Sequence, residues 1–250
     1  MIPLVVAGAA AGILGDVGEP VAIDTDRSGN WGRIFPSDTG WDLFFSSGGE
    51  YIHIPLDAAF QADRSRLTSL TGHSDLVDHA ITRCPDGTWL HVASASELDL
   101  DDSAWAFRYD ADFQRTNEVQ LFSSEPLQEH RDMPVVCGET FQGVAFFEPD
   151  SFIGLRIFEL DDDLGIVRSV EPEHPCIATG SSLVMEDDDT LAQVGFFGGT
   201  TDNQHISEYD VESFELLDRH IQDVSPAGTE SYWSQGVVRI GDHYVVAYMV

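Results

Sequence analysis

An all-β fold built from a repeating unit of about fifty residues is what this sequence predicts. Three observations predict it. The first is internal self-similarity, sought before any local reading. An alternating strand, then an apolar residue and Asp, then Phe or Leu three or four places later, recurs at Ile52–Phe60, Trp105–Phe113, Ile157–Leu164 and Ile206–Phe214. The marker Asp residues are 57, 110, 161 and 210, in steps of 53, 51 and 49. The second is the local pattern: short apolar alternations separated by Gly/Asp turns, such as Pro85-Asp86-Gly87 and Gly241-Asp242. The third is that no stretch of ten or more residues keeps helical periodicity.

Each repeat resolves into four strands. Two lie upstream of the marker: 78–84 and 89–94 in the second repeat, 133–137 and 143–147 in the third, 181–185 and 191–197 in the fourth. The marker strand is third. A more polar fourth strand follows, as in 118–122 and 166–170. A single four-stranded sheet cannot bury both faces alone, so neighbours must stack; four short strands per repeat is the pattern of β-propeller blades. The second strand of a blade should then be apolar throughout, as Val144-Ala145-Phe146-Phe147 is, because both its faces meet other blades. The marker carboxylate is expected to accept backbone N–H groups of its turn, with Phe60 and Phe113 folded back onto the sheet.

The predicted organisation is an apolar segment, 1–16, and one propeller domain, 17–250. Its repeats fall at about 31–70, 78–122, 131–170, 176–222 and 230–250. The last stops after two strands, which reads as a fragment of a larger propeller; residues 17–26 could supply one closing strand. A β-sandwich with regular strands is the competing arrangement.

Composition bounds the function. Hydrophobic content of 42% with 15 Phe allows a substantial core. The formal charge is −32, and all 12 basic residues are Arg. Without Lys there is no Schiff-base amine and no P-loop. Nucleic acid and anionic lipid are opposed electrostatically, whereas cations, polyols and neutral sugars are compatible partners. An acidic coat also serves solubility. Residues 2–15 are uncharged and carry the small-residue run Ala7–Ala11, like the apolar half of a secretory signal without its positive leader. They are too short and Gly-rich for a membrane span. Export to a secreted, periplasmic or cell-surface location is the expectation, against a plain N-terminal strand.

Three cysteines, Cys84, Cys137 and Cys176, form neither a disulfide framework nor a zinc pattern. Cys84 and Cys137 end first strands in equivalent places of successive repeats. Strands of neighbouring blades are expected to hold them too far apart for a bridge, leaving buried apolar fillers. The nine His residues show no HExxH or HxH spacing, so no metal site is expected. The acidic runs 99–102, 161–163 and 187–189 read as solvated turns, with Ca²⁺ the one ion they could hold. Ser37-Asp38-Thr39-Gly40-Trp41 is read as a plain turn.

In a propeller, ligands meet the central funnel, lined by first strands. The residues opening those strands are the ligand-binding candidates: Trp31, Arg33, Asp78, His79, His130, Arg131, Asp132, Glu173, His174, Glu230, Tyr232 and Trp233. Over about residues 74–150, Asp78-His79-Ala80-Ile81 followed by Asp86-Gly87-Thr88-Trp89-Leu90 resembles the blade opening of the five-bladed propeller glycoside hydrolases that act on arabinans, xylans and fructans. The resemblance implies a base Asp, a second Asp that tunes the acid, and an acid Glu, on first strands of different blades. Asp78 and Asp132 match the two Asp places, and Glu230 the Glu place more loosely. Two functions follow. One is a non-catalytic module presenting its funnel to a carbohydrate, peptide or protein. The other is a glycoside hydrolase using Asp78, Asp132 and Glu230. A purely structural role as one module of a larger surface protein is the third.

Overall fold

The computed structural model describes residues 2–3, 22–23, 30–70, 76–95, 103–123, 133–147, 155–173, 182–196, 203–223, 233–240 and 243–249. Among them, extended chain is broken only by turns and one 3-10 turn at Arg64–Arg66. Close contacts divide the chain into two compact units, Met1–Val77 and Asp78–Val250.

The first unit holds β1 (Ile2–Pro3), β2 (Ala22–Ile23), β3 (Asn30–Ser37), β4 (Gly40–Ser47), β5 (Glu50–Asp57) and β6 (Thr68–Ser69). Strands β3 to β6 form one antiparallel sheet in sequence order. Ile23, Leu43, Phe45, Ile52, Ile54 and Leu56 make its buried core. Alternation along β4 and β5 places these side chains on shared faces. Gly40 starts β4 where a Cβ would stand 2.2 Å from the Leu56 carbonyl oxygen, so only glycine fits. Within the segment expected to supply a closing strand, Ala22–Ile23 is described, and it pairs with β1 (Ile2↔Ile23).

The second unit continues from β7 (Leu76–Arg83), which crosses the boundary, through β8 (Trp89–Ala95), β9 (Ser103–Tyr109) and β10 (Arg115–Ser123). Next come β11 (Val135–Cys137), β12 (Gln142–Phe147), β13 (Leu155–Leu160) and β14 (Ile166–Val170). A third set is β15 (Ser182–Met185), β16 (Thr190–Phe196), β17 (Asn203–Asp210) and β18 (Leu216–Asp223). Last are β19 (Trp233–Ile240) and β20 (His243–Met249). Each set of four is an antiparallel meander, and β19–β20 is a two-stranded hairpin. Among the described residues no ladder joins strands of different sets, which removes the sandwich arrangement.

Stacking explains the apolar second strands. In β12, Val144 and Phe146 enter a core shared with Leu90, Val92, Ala104 and Ala106 of the preceding sheet. Between them, Ala145 joins Leu183, Leu191 and Phe214 of the following one. One strand thus contributes to two cores by alternation. The first strands are neighbours too: β11 lies beside β15, and β15 beside β19. Polar ties run the same way. Asn117 Nδ2 donates to the Asp163 carbonyl at 2.9 Å, and Tyr209 Oη to the Glu173 carbonyl at 2.8 Å. Arg168 reaches from β14 to the carbonyl of Val211 at 2.6 Å, with its guanidinium 4.7 Å from the Phe214 ring.

The marker turns behave as their sequence demands. Asp57 Oδ1 accepts from the amides of Ala59 (2.8 Å) and Gln61 (2.9 Å). Asp110 Oδ1 does the same for Asp112 (3.0 Å) and Gln114 (2.8 Å). Asp161 binds the Gly165 amide, and Asp210 the Ser213 amide, each at 2.7 Å. The following Phe60, Phe113, Leu164 and Phe214 all adopt left-handed backbone, with φ of 60°, 60°, 68° and 57°. That conformation costs a bulky residue about 1–2 kcal/mol. Side-chain packing offsets it: Phe60 stacks on Trp41 (5.2 Å), Phe113 lies 5.4 Å from Trp89, and Leu164 is fully buried.

One expectation is overturned. Cys84 and Cys137 form a disulfide, with Cα atoms 4.9 Å apart. The first strand of one sheet and that of the next end at the same level, so equivalent positions 53 residues apart in sequence come within bridging distance.

Candidate functional site

Asp78, the third residue of β7, is half-buried and not without interaction partners. His79, beside it, is buried. Its Nδ1 lies 3.1 Å from Nε2 of His91, and the two rings stack at 5.2 Å. His91, fully buried, stacks in turn on Phe107, its partner across the β8–β9 ladder. Burial first, and the neighbouring His79 second, hold the His91 imidazole neutral well below its ordinary range. His79 is therefore part of an aromatic row inside its sheet.

Arg33 is half-buried in β3 of the first unit, opposite Phe44. Trp31 and Trp233 have their backbones in β3 and β19, with side chains outside the described residues. Glu173 is exposed, just past β14. His130, Arg131, Asp132, His174, Glu230 and Tyr232 lie outside the described residues. Of the acidic runs, Asp161 and Asp187 hold their own turns, Asp187 through the Asp189 amide at 3.0 Å, and 99–102 lies outside the described residues.

A described concave site sits elsewhere. A cavity of about 440 Å³ opens where the β7–β8 turn, the β11–β12 turn and the β13–β14 turn converge. Six residues of extended chain separate Asp78 from Cys84 on its wall, roughly 20 Å. The half-buried Arg108 of β9 organises this cavity. Its Nη1 stands 2.9 Å from Cys84 Sγ and 3.4 Å from Thr88 Oγ1, and Nη2 donates to Gln142 Oε1. Gln142 passes the contact on, donating to the Asp161 carbonyl at 2.5 Å. Burial lowers the basicity of Arg108, opposed by the charges of Asp86 and Asp162. Asp86 is itself held below the usual carboxylate range, chiefly by the Thr88 hydroxyl at 2.7 Å. The cavity thus combines a disulfide wall, one clamped cation and carboxylates at its rim, with a volume suited to a small polar ligand. Sequence reasoning missed Arg108 and Gln142 because nothing in their local pattern marks them; only the stacking of two sheets joins them.

With this geometry in hand, comparison with known proteins bears on the fold. No protein-family model and no curated protein sequence matches the chain. Solved structures do. CoXyl43, a GH43 β-xylosidase/α-arabinofuranosidase from a compost microbial metagenome, superposes with a TM-score of 0.57 at 10% identity, over 90% of this chain and 86% of that one. The fold is a β-propeller. A GH43 endo-arabinanase from Bacillus licheniformis gives a TM-score of 0.51 at 11% identity, over 89% and 94%. The subtype N10 neuraminidase-like protein of A/little yellow-shouldered bat/Guatemala/060/2010 gives 0.52 at 13%, over 79% of this chain; this chain spans 58% of that one. The weak resemblance read from the blade opening thus holds at the level of fold. Among the described residues no helix is long and apolar enough to cross a membrane.

Proposed function

We propose that this chain is an exported, glycan-binding propeller module that presents the loop-bearing ends of its first strands to a neutral oligosaccharide. The observation that carries the reading is the superposition on propellers named for xylose-, arabinose- and galactose-containing substrates, over 85–90% of the chain for three of them. Asp78 supports it: a half-buried carboxylate near the start of a first strand can accept sugar hydroxyls. The charge of −32 favours an uncharged ligand over an anionic one. The Cys84–Cys137 bridge fits an oxidising compartment, in line with the apolar N-terminal residues.

The test is calorimetric titration of the full chain with arabino-, xylo- and β-1,3-galacto-oligosaccharides, alongside Asp78→Asn. Saturable binding of one class is expected, weakened about tenfold or more in Asp78→Asn, which corresponds to about 1.4 kcal/mol. Sugar chromatography of the same mixtures reports cleavage. Release of shortened products abolished in Asp78→Asn would replace the module reading with hydrolysis, and absence of binding to all three classes would overturn it.

A further inference from the structure

Three side chains on the outer strands of the β15–β18 sheet come together in a way their sequence spacing hides. The β17–β18 register sets Glu208 opposite Asp218 and Ile206 opposite His220. Side chains alternate along a strand, so Glu208, Asp218 and His220 share one face. His220 Nε2 lies 3.4 Å from Asp218 Oδ2 and 3.8 Å from Glu208 Oε1, and one donor atom from each residue lies within 4.8 Å of the others.

These separations exceed the usual N–H···O distance of about 2.7–3.2 Å. The 3.4 Å separation matches the edge of a tetrahedral coordination shell with bonds of about 2.1 Å, roughly 3.4 Å, and the wider spacing to Glu208 would shorten by a few tenths of an ångström on binding. Two further features favour a cation. Carboxylates directly opposite across an antiparallel pair repel one another. Asp218 is also pre-oriented, because its Oδ1 accepts the Arg219 amide at 2.7 Å and Oδ2 is left toward His220. The His220 and Asp218 side chains are 58% and 60% exposed, so the site is open to solvent, while Glu208 at 20% supplies a firmer floor.

We infer that Glu208, Asp218 and His220 form a three-ligand site for a divalent transition metal of the Zn²⁺ class, clasping β17 to β18 and leaving further positions to water. The imidazole is what selects this class over Ca²⁺ or Mg²⁺, which take oxygen ligands. The inference is independent of the glycan reading.

The experiment uses the full chain in excess Ca²⁺, which occupies carboxylate-only sites on the acidic surface. Zn²⁺ is titrated by calorimetry, and Co²⁺ is followed by its visible absorption. One ion per chain is expected, with affinity reduced at least tenfold in both His220→Asn and Asp218→Asn and unchanged in Glu212→Gln, an exposed carboxylate outside the triad. Addition of Zn²⁺ should raise the unfolding temperature of the wild type and leave that of His220→Asn unmoved. The altered residues are exposed, so circular dichroism of each variant should match that of the wild type. Equal Zn²⁺ affinity in His220→Asn, or no saturable binding, would overturn the site.

Discussion

Removing the Cys84–Cys137 bridge is the perturbation whose size the structure fixes best. The bridge closes a loop of 53 residues and ties the first strand of one blade to that of the next. In the chain-entropy account, a loop of this length restricts the unfolded ensemble by about 14 cal/mol/K, or about 4 kcal/mol at 25 °C. Cys84 is buried with Ala80 and Leu90 while Cys137 is half-buried, and both line the cavity, so a Ser pair adds the cost of placing a hydroxyl at each position to the entropic loss. For a cooperative body of this size each kcal/mol moves the melting temperature by about 2–4 °C. Cys84→Ser/Cys137→Ser, or the wild type in a dithiol reductant, should therefore melt about 8–16 °C lower by calorimetry. Thiol titration of the denatured, unreduced wild type should find one thiol per chain, that of Cys176, and three after reduction. A melting shift below about 2 °C, or three thiols before reduction, would refute the reasoning.

Two further outcomes follow from the turns and the buried histidines. At Phe113, glycine should be about 1 kcal/mol more stable than alanine in urea unfolding: both lose the ring against Trp89, but only alanine keeps the cost of left-handed backbone. An Ala variant as stable as the Gly variant would contradict this. Lowering pH should destabilise the fold through His91, whose folded pKa lies below its unfolded value near 6.5. The unfolded chain then binds the extra proton, so stability present above about pH 6.5 is lost below it, at up to about 1.4 kcal/mol per pH unit. His205, shifted the same way by burial and Arg219, adds to the trend, so the check is the difference between wild type and His91→Phe from pH 7.5 to 5. Parallel curves would remove His91 from the account.

How far the sequence reaches is clear from particular residues. The marker Asp residues and the apolar run 144–147 were readable because each reports a local requirement: amides to satisfy in a turn, or two faces to bury. The left-handed Phe60 and Phe113 were legible as returning aromatics, while their backbone was not, since bulky residues ordinarily avoid that region. Cys84 with Cys137, Arg108 with Gln142, and Glu208 with Asp218 and His220 escaped for a shared reason. Each set is assembled by stacking or register across chain separations of 53, 34 and 10 to 12 residues, where no local periodicity acts. The resemblance at Asp78 pointed to the fold; the partners it implies, Asp132 and Glu230, lie outside the described residues.

The account rests on sequential four-stranded blades stacked face to face. Nuclear Overhauser contacts in isotope-labelled protein test this directly. Cross-strand contacts are expected within each repeat, between Ala145 and Ile157 and between Gln193 and Ser207, while Ala145 and Leu183 touch only through side chains. A backbone ladder joining strands of different repeats, such as β12 with β16, would contradict it.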